Sequence, residues 1–179
     1  MRLPLSAVIT CLCTAALAAA PAPPVPTTVR LRPQGARVSA LLARAKARSP
    51  TVQRIVDRLE AGDVIVYLEL NDRLDPQVAA CLTWMAATES RRIVRASITP
   101  RLREREAIAL LAHELQHALE VLEHPEVRSS DGLADLYTRI GHRSSPSGRH
   151  FDTTEAIAAG ELAANELRRT AATRVTGAL

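Results

Sequence analysis

A sequence of 179 residues is long enough for one domain and little more. Hydrophobic residues make up 47% of it but aromatic residues only 2%, so its core must come from Leu, Val, Ile and Ala, with Trp84, Tyr67, Tyr137 and Phe151 as the only large rings. The net charge of +4 comes from Lys and Arg scattered among acids, and with so few rings to stack on bases the composition argues against a nucleic-acid partner.

Residues 1–20 read as a signal peptide. Met1-Arg2 is a short basic start, Leu3 to Leu17 is apolar, and Ala16-Leu17-Ala18 or Ala18-Ala19-Ala20 offers a small-residue cleavage site. The expected fate is export to the periplasm or medium, without stable membrane insertion after cleavage. An uncleaved anchor is the alternative. Residues 21–36 read as a Pro-rich linker. Cys11 and Cys13 leave with the signal, so Cys81 is alone in the mature chain and no internal disulfide can form. Its apolar neighbours suggest a buried small residue.

The domain is expected over 37–170. Val38, Leu41, Leu42 and Ala45 have helical spacing, which predicts a first helix over Arg37–Ala47. Ser49-Pro50 is cap and first position of a second helix, whose Val52, Ile55, Val56 and Leu59 form a core stripe. Val64, Val66, Leu68 and Leu70 then alternate with Ile65, Tyr67 and Glu69, the period of a strand. Two more strands are predicted at Ala79–Ala87 and Arg91–Ile98, joined through Thr88-Glu89-Ser90.

Thr99-Pro100 is read as the start of a helix ending at His124-Pro125, with Ile108, Leu111, Leu115, Leu119 and Leu122 as its core side. His113-Glu114-Leu115-Gln116-His117 lies inside it. Residues four apart share a helix face, so both imidazoles can converge on one ion while Glu114 reaches a water on that ion. Asp131 is expected to cap a shorter helix closed by Gly141. His142–His150 is expected as a loop, and Asp152-Thr153-Thr154-Glu155 opens an Ala-rich helix to Thr170, followed by a flexible tail over 171–179.

This HExxH pattern resembles the zincin metallopeptidases. The resemblance implies an α+β fold with N-terminal helices, a small mostly antiparallel sheet, the HExxH helix and C-terminal helices. It also implies hydrolysis of a peptide or protein by a zinc-activated water, with Glu114 as general base and His113 and His117 as ligands of Zn²⁺. In that family a short strand before the metal helix receives extended peptide, and Arg91–Ile98 occupies that place. A third protein ligand is required. The gluzincin-like pattern takes it from a later helix as E-x-x-A, which Glu155 to Ala158 matches; Glu120, Asp152, His124 and Glu161 remain alternatives. Asp152 and Glu155 also fit a capping box, and Glu120 also fits a role holding a histidine ring. Tyr137, His142 and His150 lie between the metal-bearing helices as candidates to stabilise an oxyanion. A non-catalytic zinc-binding or zincin-fold interaction module in the periplasm is the alternative function.

Overall fold

A computed structural model describes residues 29–143 and 151–176. The signal-peptide expectation for 1–20 lies outside these residues. The expected linker is shorter than read, because Leu31–Pro33 forms strand β1, which pairs parallel with the next strand and buries Leu31. Helix α1 (Ala36–Arg48) and helix α2 (Pro50–Glu60) follow as predicted, and the Ser49 hydroxyl caps α2 by accepting from Val52 N at 3.1 Å. The stripe Val52, Ile55, Val56 and Leu59 is buried, which is why this amphipathic segment holds to the sheet.

Strands β2 (Val64–Leu70), β3 (Ala80–Thr88) and β4 (Arg91–Ile98) form one sheet with β1, in the order β1-β2-β4-β3. The sheet is mixed, in place of the mostly antiparallel arrangement expected: β1-β2 and β2-β4 are parallel and only β3-β4 is antiparallel. The reason lies in β2. Its Val64, Ile65, Val66 and Leu68 are all buried, the mark of an interior strand flanked on both sides. The β3-β4 hairpin inserts its second strand beside β2, so Arg91–Ile98 is interior and β3 becomes the border. Val94, Ala96 and Ile98 of β4 face the helices.

Helix α3 (Glu104–Glu123) carries the HELQH pattern across this core. It starts five residues after Thr99, as Thr99–Leu102 turns and Arg103 N donates to Glu106 Oε2 at 3.2 Å. It ends at His124, as expected. Helix α4 (Ser130–Ile140) is capped by Ser129, two residues before the predicted Asp131, with Gly132 N donating to the hydroxyl at 3.0 Å. Two short strands follow, β5 (His142–Arg143) and β6 (Phe151–Asp152), paired antiparallel. Helix α5 (Thr154–Thr176) continues into the segment expected as a tail. Among the described residues no helix is long and apolar enough to cross a membrane.

Two packing features place the site. Helix α5 buries Ala156, Ala159, Gly160 and Ala163, residues small enough to let two helix backbones approach. A Cβ at Gly160 would lie 3.2 Å from Ala109 O and 3.6 Å from His113 Cβ, so glycine here brings α5 onto the turn that bears the first histidine. At the other end of α3, the Arg92 guanidinium is almost fully buried and donates to the carbonyls of Val121, Leu122 and His124. It also holds Asp63 bidentately, at 2.9 and 2.7 Å. A buried cation thus meets the negative end of the helix.

Candidate metal centre

Histidines 113 and 117 emerge from one face of α3, four residues apart, and their Nε2 atoms lie 3.1 Å from each other. Asp152, on β6 immediately before the cap of α5, brings Oδ1 to 3.1 Å from His113 Nε2. These three residues form a group whose ligand atoms all lie within 4.8 Å of one another. Two atoms each 2.0–2.1 Å from a tetrahedral zinc are about 3.3 Å apart, so the spacing fits one ion with little adjustment.

The expected third ligand, Glu155, is not brought to the histidines. It is exposed and borders a groove with Gln116, Leu119, Arg54 and Arg58. The cause is the helix phase. Thr153 is the cap of α5, accepting from Ala156 N at 3.1 Å, which frees the Asp152 carboxylate and sets Glu155 in the first turn, turned outward. The alternatives are placed as well. His124 pairs with Glu126 beyond the helix end, and Glu161 is exposed on α5. Glu120 is buried beside His117 and bonds its Nδ1 at 2.8 Å, on the side of the ring opposite the Nε2 that faces His113.

Glu114 is buried, and its Oε2 has no hydrogen-bond partner. Burial pushes its pKa up to about 7, against the opposing pull of His117. An ionisable oxygen left without a partner inside a fold is costly, and at this position it faces the cleft that the histidines border. Burial lowers the pKa of His113, helped by the neighbouring His117. Burial acts in the same direction on His117, but the bond to Glu120 and the charges of Glu114, Glu120 and Asp152 outweigh it and leave that pKa raised.

The cleft has a volume of about 960 Å³. Helix α3 forms its floor, β3 one wall and α4 the other, with Leu82, Trp84, Leu110 and Leu133 as apolar lining. Tyr137 also borders it, but its hydroxyl donates to His117 O at 3.2 Å and its pKa is raised well above the usual phenol by burial, so its role here is to hold the helix. His142 is exposed, and His150 lies outside the described residues. Cys81, expected to be buried, is half-buried on β3 and lines the cleft.

No family model, curated protein or solved structure matches this chain. The His/His/Asp group suits a divalent ion, since imidazole and carboxylate are donors for zinc and its neighbours. Asp152 was one of several possible ligands by sequence. What marks it is the threonine after it, itself a favoured cap, which takes that role here and leaves the aspartate free.

Proposed function

We propose that the chain is an exported zinc metallopeptidase. The observation that carries this reading is the convergence of His113, His117 and Asp152 beside a buried carboxylate, Glu114, whose free oxygen has no partner. A pure binding site has no need of that carboxylate.

His113 and His117 would hold Zn²⁺ through Nε2, with Asp152 as the third ligand. When bound, such an ion supplies Lewis acidity that polarises a carbonyl and makes a water acidic near neutral pH. Glu114 takes the proton of the attacking water and passes it to the leaving amine, a task that favours a pKa near the working pH. Burial lifts its pKa to about 7 in the metal-free protein, and beside a bound cation it would fall back, favouring the carboxylate that accepts the proton. Leu82, Trp84, Leu110 and Leu133 give the cleft apolar patches against which substrate side chains can pack. Strand β3 runs along the cleft with its outer backbone groups unpaired by the sheet, which suits an extended polypeptide substrate. Export rests on the apolar run and the A-x-A sites of residues 1–20.

The test is metal content by elemental analysis together with cleavage of an unstructured protein substrate. The expected result is one zinc per chain, and cleavage that Glu114→Gln reduces at least 100-fold while zinc is retained. Zinc without cleavage would return the chain to a binding module. Absence of zinc after reconstitution would remove the metal centre as well.

A further inference from the structure

Glu120 is buried on α3, yet the hydrolytic steps above make no use of it. Its two oxygens serve different neighbours. Oε2 faces His117 Nδ1 at 2.8 Å, and Oε1 accepts from the Thr153 hydroxyl. Thr153 is fully buried and adjoins Asp152. Its Oγ1 accepts from Ala156 N at 3.1 Å, so the single hydroxyl proton is left for Glu120. A carboxylate only accepts, so in the neutral His117 ring the single proton must sit on Nδ1, leaving Nε2 bare. One side chain thus joins a ligand on α3 to the residue beside the ligand on β6.

We infer that Glu120 and Thr153 are a positioning pair. Together they fix His117 as its Nδ1–H tautomer and hold the Asp152 strand against α3, so that the donor atoms are assembled before an ion arrives. The inference deepens the metal-centre reading and rests on it for affinity, but the tautomer belongs to the metal-free protein. Without Glu120 the ring is free to carry its proton on Nε2, the atom that must bind. Without the Thr153 hydroxyl, Glu120 loses its tie to the start of α5.

Two measurements test this on the full chain. The first is ¹⁵N NMR of the imidazoles in chelator-treated protein at alkaline pH. The second is Zn²⁺ affinity by competition with a chelating dye. In the unmodified protein His117 should show a protonated Nδ1 and a bare Nε2. Glu120→Ala should lose that signature and bind Zn²⁺ about 10–100-fold more weakly. Glu120→Gln keeps an acceptor oxygen and should retain the signature. Thr153→Val should weaken Zn²⁺ binding, and Thr153→Ser should restore it. If Glu120→Ala does not fold, Glu120→Leu fills the same space and takes its place.

A strut with no positioning role would lower stability without moving the ring nitrogens. An unmodified His117 protonated at Nε2, or an unchanged spectrum without Glu120, would overturn the inference. So would Thr153→Val binding Zn²⁺ within twofold of Thr153→Ser. Failure of the unmodified chain to bind Zn²⁺ would sink the metal reading, while the NMR result would still decide the pairing.

Discussion

Replacing Arg92 by methionine should destabilise the fold by about 3–5 kcal/mol, the usual cost of removing one partner from a buried charged network. Methionine fills the space of the arginine stem but donates nothing. The carbonyls of Val121, Leu122 and His124 would lose the guanidinium, although Val121 O keeps the His124 N–H and His124 O keeps the Val127 N–H, and Asp63 would lose both of its bonds to Arg92. Each stranded buried acceptor costs about 1–3 kcal/mol, and water can recover part of this where the chain is half-exposed. At roughly 2–4 °C per kcal/mol for a chain of this size, the melting temperature should fall by about 10 °C.

Asp63→Asn should cost less, about 1–2 kcal/mol, because its carboxylate is partly exposed and the helix carbonyls keep their donor. The two variants also separate by pH. The hydrogen bond from Arg92 holds the Asp63 carboxyl below its ordinary value of 3.8. A lowered folded-state pKa gives stability that is present above the unfolded value and is lost as pH falls through the folded one. The deficit of Asp63→Asn should therefore be full at pH 7 and shrink toward zero in strong acid. Urea unfolding followed by circular dichroism across pH 2–7 reads both effects. A Arg92→Met protein within about 1 kcal/mol of the unmodified chain would refute the reasoning, as would an Asp63→Asn deficit independent of pH.

Asp152→Ala should weaken Zn²⁺ binding at least 100-fold in a dye competition, whereas Glu155→Ala should change it less than twofold. In chelator-treated protein, Glu114→Gln should be more stable than the unmodified chain above pH 7 and equal to it at pH 4. The shift from 4.5 to about 7 corresponds to about 3 kcal/mol, lost by the unmodified chain as pH rises because its unfolded state ionises first. Thermal melts at pH 4 and pH 8 measure the gap. Gly160→Val should push α5 off α3, costing about 2–3 kcal/mol of stability and weakening Zn²⁺ binding through His113; melting and dye competition check the two effects.

The parts of the fold that were legible in the sequence are those governed by local period. The α2 stripe and the two-face pattern of α3 each state which side is buried, and the structure follows them; β2 forms where its alternation places it, but Ile65 of the other face is buried too and Leu70 is only partly so. The histidine pair was equally plain, because four residues make one helical turn whatever surrounds it. The third ligand was harder to read. Choosing between Asp152 and Glu155 depends on which residue caps α5, and a shift of one position turns every following side chain by about 100°. Asp152, Thr153 and Thr154 all suit a cap, so local preference could not set the phase. Strand direction was hidden for another reason. Whether the β3-β4 hairpin presents its first or second strand to β2 is decided by packing across the sheet, and the strand patterns are the same in both cases.

The two borders of the sheet differ in whether they can accept another strand. At one side β1 is three residues long and ends in Pro33, which has no N–H to offer, so growth there stops almost at once. At the other side β3 runs for nine residues, interrupted only by the irregularity between Trp84 and Ala86. Any chain that extends this sheet must therefore do so along the wall of the cleft. Two copies that paired by adding strands would have to meet along this same border. Copies that pair through this border would cover their own clefts, so crowding and occupancy of the site compete for one strip of backbone.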